Sequence, residues 1–575
     1  MASFKHLALA GWLLTLGLTT ACNDKDFLDV PPRGAISDEQ INNPENIDKQ
    51  VIAAYSQLGN DNYTAPFTLL WPYGNLRAGD AYKGGGGTAD VDAFHFYETF
   101  SYNRPDIGNT DELWFRLYIG VQRSNDALRR LNGISEEAMP TKKVRQGEMR
   151  FVRGHFYFML KTLFGRVPYI DENVPVAEYV NVSNVVLTND QLWDKLAEDF
   201  QFAADNLPVN QPEVGRATQL AAKAYLAKVR LYQAYTQNET HQVTGVDQGK
   251  LQEVLRLTDE VMNGGRYSLY PDFGSNFMSS NDNGAESVFA IQFSKNDGTI
   301  HGRIAQGNKL NYPMNSEFGC CGFHQPSQNL VNSFRTDPDG LPLFNSFNDV
   351  DIATANDFSA NTMDPRVDHT VAVPGHPWKY HPNFVMQQSW VRVPNTYGYF
   401  QSLKENVGPN DASFQREPPF MSSTKNIALI RYADVLLWRA EALIELGRQA
   451  EALPLINQIR QRAQNSTGML VNSAGQPVSN YAIGLYNSAN WTQQYARQAL
   501  RFERRLEFAM EGFRFFDLVR WGIAADYMNN YFTVEKTKRQ YLQDAQFTAG
   551  RDEYLPIPLN QINYSKGLYQ QNPGW

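Results

Sequence analysis

Trp438-Arg439-Ala440-Glu441-Ala442-Leu443-Ile444-Glu445-Leu446-Gly447-Arg448-Gln449-Ala450-Glu451-Ala452-Leu453 reads as two helices folded back on one another. Small Ala positions let the helices approach, and Gly447 supplies the turn. The pattern looks like a tetratricopeptide hairpin. Helical periodicity also marks 110–133, 142–164, 190–206, 218–235, 250–263, 428–446, 450–462, 495–510 and 513–531. Near the start, Ser37-Asp38-Glu39-Gln40 is a capping-box signal, and Asn43-Pro44 opens a helix with Ile47, Val51, Tyr55 and Leu58 on one face. Short links between these segments predict a mostly α fold, a degenerate tetratricopeptide-like scaffold that presents an extended surface to a partner.

Two stretches break the helical texture. Residues 264–425 are rich in Pro, Gly and Asn, with short extended candidates at 287–293 and 369–373, and residues 61–105 carry Gly84-Gly85-Gly86-Gly87. Connections this long are usually functional, so both are candidate ligand surfaces. The glycine run lacks an evident strand before it or helix start after it, so a flexible loop is expected there rather than a phosphate cradle.

The 575 residues carry 42% hydrophobic and 20% charged side chains, which excludes collagenous, low-complexity and disordered classes. A net charge of −9 argues against a nucleic-acid partner bound through its phosphates. Residues 1–21 form a signal peptide, with Lys5, an apolar stretch from Leu7 to Leu18, and small residues before Cys22. The apolar stretch is short of the ~20 residues a spanning helix needs. The junction resembles a bacterial lipobox with Thr19 in place of the usual Leu, so Cys22 is the expected lipidation site, with cleavage near Ala21 and an incidental Cys as the alternative. Residues 22–36 would then be a lipid-anchored tether and 37–575 the folded body.

Familiar catalytic patterns are absent: the sequence holds no HExxH, Cys-x-x-Cys, G-x-S-x-G or Walker motif. His369, His376 and His381 lie near Asp364 and Asp368, but in a proline-rich loop their spacing fixes no common face. Asn281-Asp282-Asn283-Gly284 with Glu286 could offer oxygens to a structural Ca²⁺, without the order of a calcium loop. No metal and no cofactor is otherwise indicated. Paired carboxylates for glycoside hydrolysis cannot be picked from 61 acids.

Cys320 and Cys321, set between Gly319 and Gly322, either close an eight-membered disulfide ring that makes a rigid apolar knob or remain two reduced, buried thiols. Aromatic residues make up 13% of the chain. Sugar rings lay their C–H face on Trp or Tyr while Asp, Asn and Arg take their hydroxyls. Candidate glycan contacts by that chemistry are Asp61, Asn62, Trp71, Arg77 and Asp80 in the first loop stretch. Cys320, Cys321, Trp378, Trp390, Arg392 and Tyr397 are their counterparts in the second. For any single Trp, the competing reading is a core ring.

From end to end the chain resembles the SusD/RagB family of outer-membrane lipoproteins. The resemblance rests on Cys22 followed by Phe27-Leu28-Asp29-Val30-Pro31-Pro32, on Ala53-Ala54-Tyr55-Ser56-Gln57-Leu58, and on Tyr267-Ser268-Leu269-Tyr270. It continues through Pro326-Ser327-Gln328-Asn329-Leu330-Val331, Asp364-Pro365-Arg366 and Leu429-Ile430-Arg431-Tyr432-Ala433-Asp434-Val435-Leu436-Leu437. The most specific run is Glu503-Arg504-Arg505-Leu506-Glu507-Phe508-Ala509-Met510-Glu511-Gly512-Phe513-Arg514-Phe515-Phe516-Asp517-Leu518-Val519-Arg520-Trp521-Gly522, followed by Leu555-Pro556-Ile557-Pro558 and Gln571-Asn572-Pro573-Gly574-Trp575. The resemblance implies a lipid-anchored protein facing the cell exterior on the outer membrane. It also implies a SusC-like TonB-dependent β-barrel partner that receives oligosaccharide or polysaccharide, without catalysis. A cell-surface glycoside hydrolase and a helical-repeat adaptor that binds no sugar are the alternatives. Within the 503–522 run, Leu506, Ala509, Met510, Phe513 and Phe516 are expected as a core stripe around which Arg and Glu side chains pair.

Overall fold

The computed structural model describes residues 42–298 and 303–575. Cys22 and the expected signal peptide, tether and 37–40 capping signal lie outside the described residues. The chain opens with α1 (Pro44–Gln57), whose Asn43 side chain accepts the Asn46 amide while Pro44 fills the first turn. Past the short helix Asp92–Thr99, five longer ones follow: α2 (Gly108–Gly133), α3 (Lys142–Phe164), α4 (Asn189–Asn206), α5 (Gln219–Ala234) and α6 (Gln248–Asn263). Each packs on the next, α1 covering α2. The close approach of α2 to α3 needs Gly120, where an added Cβ would sit 2.2 Å from the Phe156 ring. Helix α3 is covered on every side from Phe151 to Phe164, so its apolar positions run all round rather than in a stripe.

After α6 the chain leaves for the loop-rich stretch and returns through a single antiparallel clamp. Strands β1 (Ala81–Gly84), β2 (Ser287–Ile291), β3 (Phe323–Pro326) and β4 (Ile427–Arg431) pair as β1 with β3 and β2 with β4. Strand β4 delivers the chain into α7 (Tyr432–Glu445), which packs on α6 and continues the helical row with α8 (Gln449–Gln464) and α9 (Gln493–Glu507). The insertion of 264–425 is thus closed at its base by β2 and β4, and the row of hairpins runs unbroken past it. Helices α10 (Arg514–Arg520) and α11 (Ala524–Lys538) finish the scaffold.

Four sequence expectations change. The first part of 428–446 is strand β4, because Ala428 and Ile430 find partners in Ala290 and Phe289. The helix expected over 513–531 is broken at Gly522, whose φ of +69° ends α10. Residues 366–370 are helical, and extended backbone is confined to Val371–Ala372. The glycine run does follow a strand, β1, and is followed by a helix, Asp92–Thr99.

The 503–522 run has an ion network as well as an apolar stripe. Leu506, Ala509, Met510 and Phe516 are buried, with Phe513 at the edge. Glu503 and Glu507, four residues apart, share a face of α9. Arg366 donates to Glu503 at 2.6 Å and Glu507 at 3.2 Å; Arg431 and Arg462 reach Glu507 at 2.9 and 2.5 Å; Arg460 reaches Glu503 at 3.0 Å. Glu286 takes Arg431 at 2.7 Å and Arg462 at 3.0 Å, and Glu511 takes Lys404 at 2.8 Å. Burial would raise the Glu507 carboxyl, but Arg462, Arg431 and Arg366 outweigh it and hold the group well below the ordinary range. The network ties the helical row (α7 to α9) to three points in the insertion: Glu286, the Asp364–Arg366 turn and Lys404.

Candidate functional site: an aromatic platform on the insertion

Three irregular segments converge above this base. Strand β1 leads into the glycine run, and its pairing with β3 is extended by the Gly85 amide, which donates to the Gly322 carbonyl at 2.9 Å. An added Cβ at Gly84 would lie 2.3 Å from that same carbonyl, and both Gly84 and Gly322 have φ near +75° (75° and 74°), so glycine is required at the crossing. Gly322 in turn donates to Tyr312 O at 2.7 Å, and Met314 donates to the Trp390 carbonyl at 2.9 Å. Residues 84–90, 312–322 and 390–392 are therefore held against one another.

The glycine loop is pinned rather than loose. Buried Lys83 reaches under it, donating to Gly87 O at 2.7 Å and Asp90 O at 2.5 Å. The Asp90 carboxylate accepts from the Gly86 amide and from Arg392, each at 2.8 Å. Burial pushes the Lys83 ammonium down to about 8 and the nearby Glu98 carboxyl up to about 8; Glu98 also takes the Tyr541 hydroxyl at 2.6 Å.

Trp390 is half-buried at the edge of a small separate core of Tyr312, Phe318, Trp378, Met386, Leu403 and Val407. Its ring centroid is 4.9 Å from Phe384 and 6.1 Å from Trp378. Phe384 is also half-buried, and Met314 is exposed. Cys320 and Cys321 are joined by a disulfide, Cys320 half-buried and Cys321 buried, directly before the Gly322 crossing. Arg392 is exposed and carries the ion pair to Asp90. The exposed side of this region combines the Trp390–Phe384 aromatic pair with a guanidinium–carboxylate pair at its border, the mix that takes up a ring's apolar face and its hydroxyls.

Of the residues anticipated from sequence, Cys320, Cys321, Trp390 and Arg392 meet here, and the others do not. Trp378 is fully covered, its indole donating to Val407 O at 3.2 Å. Trp71 is a core ring too, donating to Gly307 O at 3.1 Å. Arg77 is buried against the Phe515 ring at 4.1 Å, and Asp80 is buried in an ion pair with Arg505 at 2.8 Å. Asp61 caps the turn to Phe67 and Thr68, burial raising its carboxyl to about 6, and Asn62 donates to Glu112 at 2.9 Å. Tyr397 is buried against Tyr541. All seven are corrections: six are polar or aromatic residues of loop sequence recruited to the interior, and half-buried Asn62 is held by Glu112 away from the platform. The calcium candidate fails for a similar reason: Glu286 is held by Arg431 and Arg462, and Asp282 by the Asn426 amide. Among the described residues no group of three His, Cys, Asp or Glu side chains is placed to hold a metal ion. Sequence reading missed Lys83, Asp90, Met314 and Phe384; a cation directly before a glycine run and an acid just after it were the available signal.

Residues 285–575 match the SusD family, and residues 26–231 match a family described as starch-binding associating with outer membrane. A SusD-like protein, P25, from Formosa agariphila is 24% identical over 570 residues, covering 95% of each chain. Among solved structures, a SusD homologue from Bacteroides thetaiotaomicron has a TM-score of 0.69 at 20% identity, covering 93% of this chain and 98% of that one. Surface glycan-binding protein A from the same organism, in complex with laminarihexaose, has a TM-score of 0.64 at 21% identity, covering 92% and 99%. No helix among the described residues is long and apolar enough to cross a membrane.

Proposed function

We infer that this chain, which belongs to the SusD family, captures oligosaccharide or polysaccharide at the cell surface and passes it on without cleaving it. The carrying observation is the half-buried Trp390–Phe384 pair, 4.9 Å apart, bordered by the Arg392–Asp90 ion pair and the Cys320–Cys321 corner. Asp90 is already engaged by Arg392 and the Gly86 amide, whereas glycoside hydrolysis calls for two carboxylates flanking the bond. A SusC-like TonB-dependent barrel is the proposed recipient, and outer-membrane lipid reached through acylated Cys22 the proposed anchor. The family description of outer-membrane association and the leader-like residues 1–21 support that placement. A glycan array followed by a reducing-end assay tests the reading. Retention of at least one polysaccharide with no new reducing ends is expected; steady release of reducing ends would make the protein a hydrolase instead.

A further inference from the structure

A polar cavity lies on the helical scaffold, built from residues that take no part in the platform. It has a volume of about 400 Å³, within the range of roughly 300–1,000 Å³ typical of small-molecule sites. Its walls come from the C-terminal end of α3, the approach to α4, the turn of the hairpin formed by Tyr235–Gln237 and Val243–Val246, and the C-terminal segment.

The lining is hydrophilic and cationic. Lys161 is buried, and its ammonium is held by two neutral oxygens, Gly165 O at 3.1 Å and Asn189 Oδ1. An ammonium has three protons, and beyond these two oxygens Nζ faces only the Trp193 and Tyr554 rings, 5.5 and 6.0 Å from their centroids. Arg166 stands beside it, paired with Glu239, the one carboxylate among the described residues that line the cavity, whose side chain is 82% exposed at the rim. His241, over nine-tenths buried, lines the same cavity; its Nε2 has no hydrogen-bond partner, and its backbone φ is +64°. That backbone conformation is uncommon outside glycine and recurs at ligand sites. The His241 ring meets the Tyr554 ring at 4.7 Å, and Tyr554 donates to Gln237 at 2.6 Å, which fixes the floor. Burial, with Lys161 and Arg166 adding to it, lowers His241 to about 4, so a neutral imidazole faces two basic side chains. Burial, again with Arg166 adding, brings Lys161 itself down to about 7.

We propose that this cavity binds an acidic monosaccharide unit, a hexuronate, with its carboxylate on Lys161 and Arg166 and its hydroxyls shared among His241, Asn189 and Gln237. Lys161 has no carboxylate within ion-pair distance, so an oxyanion placed beside it and Arg166 would hold its ammonium form, and the amide and imidazole groups around it match a polyol. The site would let the protein hold an acidic residue of a chain or side chain separately from the platform.

The test is calorimetric titration of the full chain with glucuronate and galacturonate, with glucose and inorganic phosphate as comparison probes. Saturable binding of a uronate is expected, at least tenfold tighter than glucose and unchanged in Trp390→Ala. It should weaken at least tenfold in Arg166→Gln and in His241→Ala, both checked for unaltered melting. Glucose binding as tight as uronate, phosphate binding in place of uronate, no uronate binding, or uronate binding that survives both substitutions would each overturn the proposal. Because Trp390→Ala removes the platform and leaves this cavity intact, failure of one site is read separately from failure of the other.

Discussion

Trp378 and Trp390, 6.1 Å apart ring to ring, divide the two employments of an aromatic residue in this protein. Trp378 is fully covered, and Trp390 is half-buried above it. Trp378→Ala should therefore cost about 3–5 kcal/mol of stability by leaving a cavity, and Trp390→Ala should leave the melting temperature within a few degrees of the parent. Equal melting of the two variants would remove the distinction. The sequence offered both residues on equal terms, because neighbouring residues in a loop say little about which rings a distant segment will cover. Glu507 makes a second test at this scale. Its lowered carboxyl contributes stability that is present above the ordinary glutamate range and is lost as pH falls through its folded value. Glu507→Gln should cost about 3–5 kcal/mol at neutral pH, since Arg431 and Arg462 lose a buried partner. Its stability should also depend less steeply on pH than the parent's below about pH 4; parallel pH curves would contradict that role.

Among the elements, those with their own periodicity were legible and those that depend on a distant partner were not. Helices α3 and α4 lie within a residue of where their apolar spacing puts them, and α4 carries the Thr188–Gln191 capping box that sets its start. Strand β1 is four residues long, and β4 exists because β2 lies beside it; neither has a pattern of its own to read. The glycine loop shows the same dependence, since Gly84 to Gly87 suggest freedom until Lys83 and Asp90 are seen to tie them down. Lys83→Met should release that tie. Amide hydrogen exchange at 85–90 is expected to accelerate at least tenfold while α3 is unaffected, and glycan affinity should fall as Arg392 loses its fixed partner. Unchanged protection at 85–90 would mean the backbone holds the loop by itself.

At the scale of the whole molecule, a continuous row of hairpins carries an irregular insertion, closed at its base by β2 and β4 and bound to the row through Glu286, Asp364–Arg366 and Lys404. That arrangement makes the insertion a braced platform rather than a flap. The helical class and the position of the insertion were readable from the change in texture at 264–425; the ion network was visible as residue types but not as pairings, since its members are far apart in sequence. Cys22→Ala should move the protein from the membrane fraction to the soluble one, and continued membrane association would point to another anchor. The central claim, glycan capture at the Trp390 platform, is tested most directly by calorimetric titration of the parent, Trp390→Ala and Arg392→Ala with a polysaccharide retained on an array. Saturable binding by the parent, weakened by about 1–3 kcal/mol in Trp390→Ala and measurably in Arg392→Ala, is expected; identical isotherms for all three proteins would place the glycan elsewhere.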